Sequence, residues 1–505
     1  MSTGPPPGYL GAEGRITSGP APELVAAGYE LELADAPLLH HGLGLADLAH
    51  TVALAELGVL PPEEAAVLAG VVVELLGVPA SEFPYDATYG DAYNSREREL
   101  QRRLGTTAGW LPAGRTRREA GRVAFRLALR ERLLDLHAAV AGLTAALAGR
   151  AEAEAETVWA DTTYLQPAQP STFGHYLGAF AEESSRHLGR LRGAHAWADA
   201  SPAGAGGVGG TRLPLDRERL AELLGFAAVA PHTRDAMWAV DGLADAVTAA
   251  VLAATTADRL AEDLEVFASS PFGYVRLHPS LCRASVLMPQ KRNPYALAVV
   301  RGGAGTLIGR LTGLLATART PSARTDNWLY AYGEVTGAID LARRLVELTT
   351  AVVATLEIDR QALAAAAGDG FTAATDLADE LVLAAGLDYR SAYRVVAAAV
   401  AAADAGGQAT RDPEALVRAA ERVIGRPVLL KAEVVAAALD PAAAAHARPQ
   451  TGGSSPARVR EHAARVQAEL AEGRAWERGR RAAAEAAERR LLELAGRLAA
   501  EVTGP

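Results

Sequence analysis

Between Cys282 and Gly305 the sequence reads CRASVLMPQKRNPYALAVVRGGAG. The first half combines small residues, one serine (Ser285), two prolines, Lys291 and Asn293. The second half has helical composition from about Asn293-Pro294 onward, with proline at the start. A polar loop running into a helix N-terminus is a natural anion site, because the unpaired N–H groups of the first turn and the helix dipole favour negative charge there. Lys291 adds a full charge and Asn293 adds donors, so the chemistry on offer is the handling of a carboxylate. Taken by itself, the stretch is better read as a surface loop ahead of an N-capped helix.

Other signals carry less. Gly204-Ala205-Gly206-Gly207-Val208-Gly209 matches GxGxxG, but it follows a helical stretch and precedes TRLPLDRERL. Without a strand before it and a helix directly after it, a dinucleotide site is not expected, and a flexible loop near the substrate is the better reading. His40 and His41 are adjacent, so on a helix they point about 100° apart and do not form the i, i+4 pair of a zinc site. None of the 11 histidines stands in a HExxH or HxE…CxxC context. GxSxG and GxxxxGK[ST] do not occur, which removes the nucleophile elbow and the P-loop. No structural or catalytic metal is expected.

The elements that must position this loop read as helices. Half of the 505 residues are hydrophobic but only 5% are aromatic, and alanine and leucine dominate. Such usage favours helix over strand. From Ala34 the pattern is helical, as in LADLAHTVALAELGVL, and Pro61-Pro62-Glu63-Glu64 opens the next helix. Three segments read as unusually long helices, roughly 117–150, 233–267 and 328–357. Helices so long and apolar need partners on all sides, which implies a long bundle completed by other subunits. No segment alternates as a substantial sheet would. The expected organisation is an N-terminal helical domain (1–114), a central long-helix bundle (115–363), a small C-terminal helical domain (364–473) and a helical extension (474–505).

The net charge of −10 comes from 60 acidic and 50 basic residues of mixed order. No basic stripe argues for nucleic acid. The Arg-rich run from Arg474 to Arg490 is interleaved with glutamates and reads as a solvated helix face. The single cysteine, Cys282, fits a reducing compartment. The N-terminal segment lacks the basic and apolar regions of a signal peptide. The most apolar stretch, 65–80, is too short to span a bilayer. A cytoplasmic protein without membrane partners is the expectation.

Several ordered blocks carry a family resemblance. SVLMPQKRNP resembles the GSSxMPxKxNP signature of the aspartase/fumarase superfamily, and within it looks most like argininosuccinate lyase. AGWLPAGRTRREA (108–120) is similar to the first signature region, TTYLQPAQPSTFGHYL (162–177) to the second, and SPAGAGGVGGTRLPLDRE (201–218) to the loop that follows it. FTAATDLADELV (371–382) and GGSSPARV (452–459) resemble stretches of the C-terminal domain. The resemblance covers about residues 30–470. It implies an all-α, three-domain, cofactor-free lyase, a homotetramer with a 20-helix core, with each active site shared between subunits and a small carboxylate as substrate.

Carried over position by position, the family makes Ser285 the general base that takes a proton from the carbon beside a carboxylate. An ordinary serine does not ionise at neutral pH, so the site has to stabilise its alkoxide; Lys291 and nearby N–H groups are suited to that. Lys291 and Asn293 would hold the carboxylate and the aci-carboxylate formed on deprotonation. Thr116 and Thr163 match hydroxyls that bind the fumarate part. Arg115, Gln169 and Asn94 match polar residues of the cleft.

The departures concern the leaving-group side. The histidine of the family's THLQ is Tyr164, and its glutamate partner is Ala298. A second family histidine is Tyr93. The asparagine after GRSR is Arg118. Residues that contact the arginine moiety fall on Thr325, Tyr330 and Gly333. Two expectations follow: the leaving amine is not arginine, and Tyr164 is the first candidate for general acid, with Tyr93 and His175 in reserve. The rival readings are a specialised biosynthetic elimination or cyclisation, and a non-catalytic binding or structural homologue.

Overall fold

The computed structural model describes residues 18–319, 328, 330–369, 371–406 and 413–500. The helical expectation holds throughout. Helix α1 spans Ala36–Glu56, α2 Pro62–Leu76 and α3 Ala92–Leu104; α4 spans Arg117–Ala153, α5 Phe173–Ala198, α6 Asp241–Phe267, α7 Tyr295–Ala318, α8 Tyr332–Thr355 and α9 Pro456–Ala500. Sheet among the described residues is limited to two-stranded ribbons.

The bundle is built on α4, whose 37 residues extend about 55 Å at 1.5 Å each. Leu129, Leu133 and Leu136 of α4 share one core with Leu243, Val247 and Leu264 of α6, Leu297 and Leu307 of α7, and Ile339 and Leu345 of α8. A helix reading of 233–267 is corrected in one respect. The chain forms a short helix, Thr233–Trp238, then leaves helical geometry at Ala239 (φ −63°, ψ 135°) before α6 begins. The Met237 carbonyl is turned onto Arg122 Nε at 3.1 Å, and Trp238 lies against the same guanidinium.

Helix α7 buries Ala296, Leu297, Val300, Ala304, Leu307 and Leu314. Val299, Ile308 and Leu315 stay exposed along it. A second core joins α1, α2 and the start of α4 through Leu48, Leu54, Leu68 and Leu127. A third, with Leu377, Leu381, Leu416 and Val435, holds the small C-terminal helices. Helix α9 has 45 residues, about 68 Å, and runs without interruption through residue 474, where the sequence suggested a separate extension. Its Val459, Val466 and Leu470 enter the bundle core, while Leu491 and Ala495 enter the N-terminal core.

No described helix is long and apolar enough to cross a membrane.

Candidate active site

The signature residues sit on a miniature hairpin. Strand β3 (Arg283–Ala284) pairs antiparallel with β4 (Arg292–Asn293), and Asn293 Nδ2 donates to the Arg283 carbonyl at 2.9 Å. Below it, Arg292 donates to the Leu277 carbonyl and lies 3.4 Å from Cys282 Sγ. This stem projects the loop 285–291. Within the loop, Ser285 Oγ accepts from the backbone N–H of Met288 (3.0 Å) and of Leu287 (3.3 Å). The Lys291 N–H closes a turn onto the Met288 carbonyl at 3.0 Å. Two amides aimed at one hydroxyl oxygen also stabilise that oxygen as an anion. The loop is solvent-facing: Val286 and Leu287 are almost fully exposed, and Lys291 is exposed. Ala298 lies on the exposed side of α7.

The second expected group lies elsewhere. Val158–Thr163 (β1) and Gln166–Thr172 (β2) form a hairpin with Tyr164 and Leu165 as its two-residue turn. Both turn residues have left-handed backbones, φ 57° and 58°. Such turns favour Asn-Gly because side chains crowd the backbone at positive φ. Tyr164 is 99% exposed at the tip. Thr163 and Gln169 flank it, both exposed. His175 stands in the first turn of α5, with Nδ1 3.3 Å from Ser171 Oγ and Nε2 3.0 Å from the Gly452 carbonyl.

The third group surrounds the start of α4. Thr116 caps this helix, accepting from the Glu119 N–H at 3.3 Å, and its hydroxyl donates to the Gly206 carbonyl at 3.1 Å. Arg115 is buried; it donates to Asp47 Oδ1 at 2.7 Å and to the Ala46 carbonyl at 3.0 Å, and its guanidinium lies over the Tyr93 ring. Arg96 reaches the other oxygen of Asp47 at 3.1 Å. Burial pushes the Tyr93 hydroxyl up to about 12, which makes it a poor proton donor. Asn94 is buried, with Nδ2 on the Tyr89 carbonyl at 2.7 Å and Oδ1 without a partner. Arg118 is half-buried beside Trp238. Tyr330 is half exposed. Thr325 lies outside the described residues.

Sequence reasoning missed Glu119. Its buried carboxylate accepts from the N–H of Gly204 (2.7 Å) and Gly206 (2.5 Å), so it pins the GAGGVG loop to α4. Burial pushes it up to about 7, against the pull of these amides and of Arg115 and Arg217. Glycine is needed at 206, where φ is +63° and a Cβ would come within 2.4 Å of the Gly210 carbonyl oxygen. The readable signal was the T-x-x-E capping pattern at Thr116 and Glu119; the target of the glutamate was not readable. Arg122, Arg126 and Arg130, one turn apart on α4, were missed too. They are buried and donate to the carbonyls of Met237, Trp197, Ala200 and Gly225, holding that whole segment on the helix.

Among the described residues no hydrogen bond or ion pair joins these three groups within one chain.

A family model described as Lyase matches residues 28–309, and one described as Argininosuccinate lyase C-terminal matches residues 371–445. The chain is 38% identical over 424 residues to argininosuccinate lyase of Halobacterium salinarum, covering 83% of this chain and 85% of that one. The chain is an argininosuccinate lyase-like member of the aspartase/fumarase superfamily. It is therefore an enzyme of a lyase superfamily. The argininosuccinate lyase of Methanoculleus marisnigri is 32% identical, covering 86% of this chain and 88% of that one. Among solved structures, EDDS lyase in complex with formate superposes with a TM-score of 0.83 at 27% identity, covering 97% of this chain and 98% of that one. The 3-carboxy-cis,cis-muconate lactonizing enzyme of Pseudomonas putida, at 21% identity and a TM-score of 0.68 over 89% of this chain and 99% of that one, shares the fold alone.

Proposed function

We propose that this superfamily member catalyses β-elimination of an amine from a succinyl-type substrate, releasing fumarate, or runs the reverse addition. The observation that carries the reading is Ser285 Oγ seated on the Met288 and Leu287 amides at the tip of an exposed loop. In elimination, Ser285 takes the proton from the carbon next to a carboxylate. The carboxylate, held by Lys291, absorbs the charge as an aci-carboxylate. The C–N electron pair then leaves with nitrogen, which takes a proton from the general acid, for which Tyr164 is the candidate. No cofactor is required, because the substrate carboxylate is the electron sink.

No hydrogen bond or ion pair among the described residues joins the three groups within one chain, which supports sites assembled from several subunits of a homotetramer. The exposed Val299, Ile308 and Leu315 on α7 supply apolar surface for a shared 20-helix core. The likeness to an EDDS lyase variant with bound fumarate, at 27% identity and a TM-score of 0.83, supports fumarate as the shared product.

Argininosuccinate is not the expected substrate. Tyr164, Ala298, Arg118 and Gly333 replace polar partners on the leaving-group side, and each lost contact is worth roughly 1–3 kcal/mol. The test is incubation with argininosuccinate and with a panel of N-succinyl amines and amino acids, following fumarate absorbance. Fumarate from the panel with little from argininosuccinate is expected. Argininosuccinate turnover at a rate matching the best substrate would overturn the specificity claim, and no fumarate from any of them would overturn the elimination.

A further inference from the structure

The hairpin that carries the signature loop is a slight structure. Its stem has two residue pairs, Arg283 with Asn293 and Ala284 with Arg292. A two-stranded ribbon has little stability of its own, yet Ser285 directly follows its first strand and Lys291 directly precedes its second. Asn293 Nδ2 bonds within the stem, to the Arg283 carbonyl at 2.9 Å. Packing within the chain does not hold the stem down on one side. A cavity of about 490 Å³ lies there, lined by Cys282, Arg292 and Pro294 together with Arg276 and Arg360.

Arg292 bridges the foot of the stem to the body of the chain. Its guanidinium donates to the Leu277 carbonyl and directs Nε to Cys282 Sγ at 3.4 Å. The other two arginines of the cavity wall face carboxylates: Arg276 Nη1 lies 3.9 Å from Glu357, and Arg360 Nη2 lies 2.7 Å from Glu154. Arg292 holds a backbone oxygen instead, and that oxygen is a fixed point. The Leu277 side chain is buried in the bundle core, and Val275–Arg276 just before it pair with Glu357–Ile358. A bond from a guanidinium is charge-assisted and stronger than one between neutral groups. Neighbouring side chains of a strand point to opposite faces, so Arg292 reaches inward while Asn293 takes the other face. Arg283 makes a second tether, 5.0 Å over the Tyr295 ring at the start of α7. Both of these side chains are exposed, where a cation–π contact is weak.

We propose that Arg292 is a positioning residue: through the Leu277 carbonyl it fixes the height and direction of the signature loop, and with them the placement of Ser285. The proposal rests on the elimination reading above, in which Ser285 takes the proton and Lys291 holds the carboxylate. Arg292 acts through its neighbours and not on the reacting atoms. Proton transfer needs the base within hydrogen-bond reach, and a misplacement of about 1 Å costs about a hundredfold in rate.

The test compares Arg292→Met, Arg292→Lys and Arg283→Met in fumarate release from the best N-succinyl substrate. Arg292→Met keeps the length and loses the donors, so kcat should fall by about 10²-fold, with a smaller change in KM. Arg292→Lys keeps the charge and a donor for Leu277 and should recover most of that loss. Arg283→Met should cost less than Arg292→Met. The unfolding midpoint in urea should stay that of the parent in all three. The same Arg292→Met change is then made in a Ser285→Ala background, where the base is already gone and the further loss should be much smaller. Parental kcat in Arg292→Met, a loss that tracks a lowered midpoint, or an equal loss in both backgrounds overturns the proposal while the elimination stands. If no substrate yields fumarate, or Ser285→Ala keeps full turnover, the elimination reading or its base falls, and amide exchange decides. Amides of residues 283–293 must exchange faster in Arg292→Met than in the parent and in Arg292→Lys. Unchanged exchange overturns the proposal.

Discussion

Ser285 Oγ lies 3.0 Å from the backbone nitrogen of Met288, at the N-terminal corner of a turn closed by Lys291. This relationship makes the hydroxyl an acceptor before any substrate arrives and lowers the cost of its ionised form. Ser285→Ala removes the base and leaves the β3–β4 stem intact. Turnover should fall by about 10²–10⁴, the usual contribution of a positioned base. The unfolding free energy should stay within about 0.5 kcal/mol of the parent, as for a surface-loop position. Steady-state assay and urea unfolding check the two halves, and a variant that keeps full turnover removes Ser285 from the mechanism.

Tyr164 and Leu165 hold left-handed conformations that cost L-residues roughly 1–2 kcal/mol each. Replacing the pair by Asn-Gly should relieve that strain and raise thermal stability, while removing the phenol should lower turnover. Tyr164→Phe separates the effects: it keeps the strain and loses only the hydroxyl. A Tyr164→Phe variant with parental kcat would exclude the phenol as general acid.

Glu119 joins two glycine amides to the start of α4. Glu119→Gln puts an N–H group where one amide needs an acceptor, and should destabilise by about 1–3 kcal/mol. Amide exchange at residues 203–210 should accelerate. The titration has a definite sign. An ordinary glutamate ionises near 4.5 and the folded one near 7, so the native state holds the extra proton. The contribution is fully present below pH 4.5, declines as pH rises to about 7 and is flat beyond. Denaturant unfolding at pH 4.5 and 8 should show this decline in the parent and a smaller one in the variant.

His137 and His195 pack against Trp476, and burial lowers both to about 4. His137 is then uncharged at neutral pH, and its 3.6 Å approach to Glu477 is not an ion pair there. The sign is opposite to that of Glu119. The stability is fully present above pH 6.5 and is lost as pH falls toward 4, by up to about 1.4 kcal/mol per unit for each histidine. His195→Phe should flatten the slope between pH 6.5 and 4 in urea unfolding; an unaltered slope would mean that this imidazole protonates freely in the folded protein.

The helices were legible because their apolar periodicity is long and uninterrupted, as in α4. The break at Ala239 was not, since neither glycine nor proline stands at it, and the Met237 carbonyl just before it is bonded to Arg122, distant in sequence. The hairpin carrying Tyr164 was hidden for a related reason: its turn residues are a tyrosine and a leucine rather than Asn-Gly. At the site, Ser285, Lys291 and Asn293 were visible as a polar cluster before a helix. The tie between Arg292 and Leu277 was not, because its acceptor is a backbone carbonyl that the fold alone brings within reach.

Helix α9 has a consequence for how the chain is made. Leu491 and Ala495 fill the same core as Leu48, Leu54 and Leu68, so residues that leave the ribosome late complete a core begun early. Until they arrive, the apolar faces of α1 and α2 stay open in the nascent chain, a state prone to aggregation. The N-terminal domain therefore cannot mature ahead of the rest. A stop codon in α9 ahead of Leu491 would leave a product whose first domain, although fully translated, is unfinished.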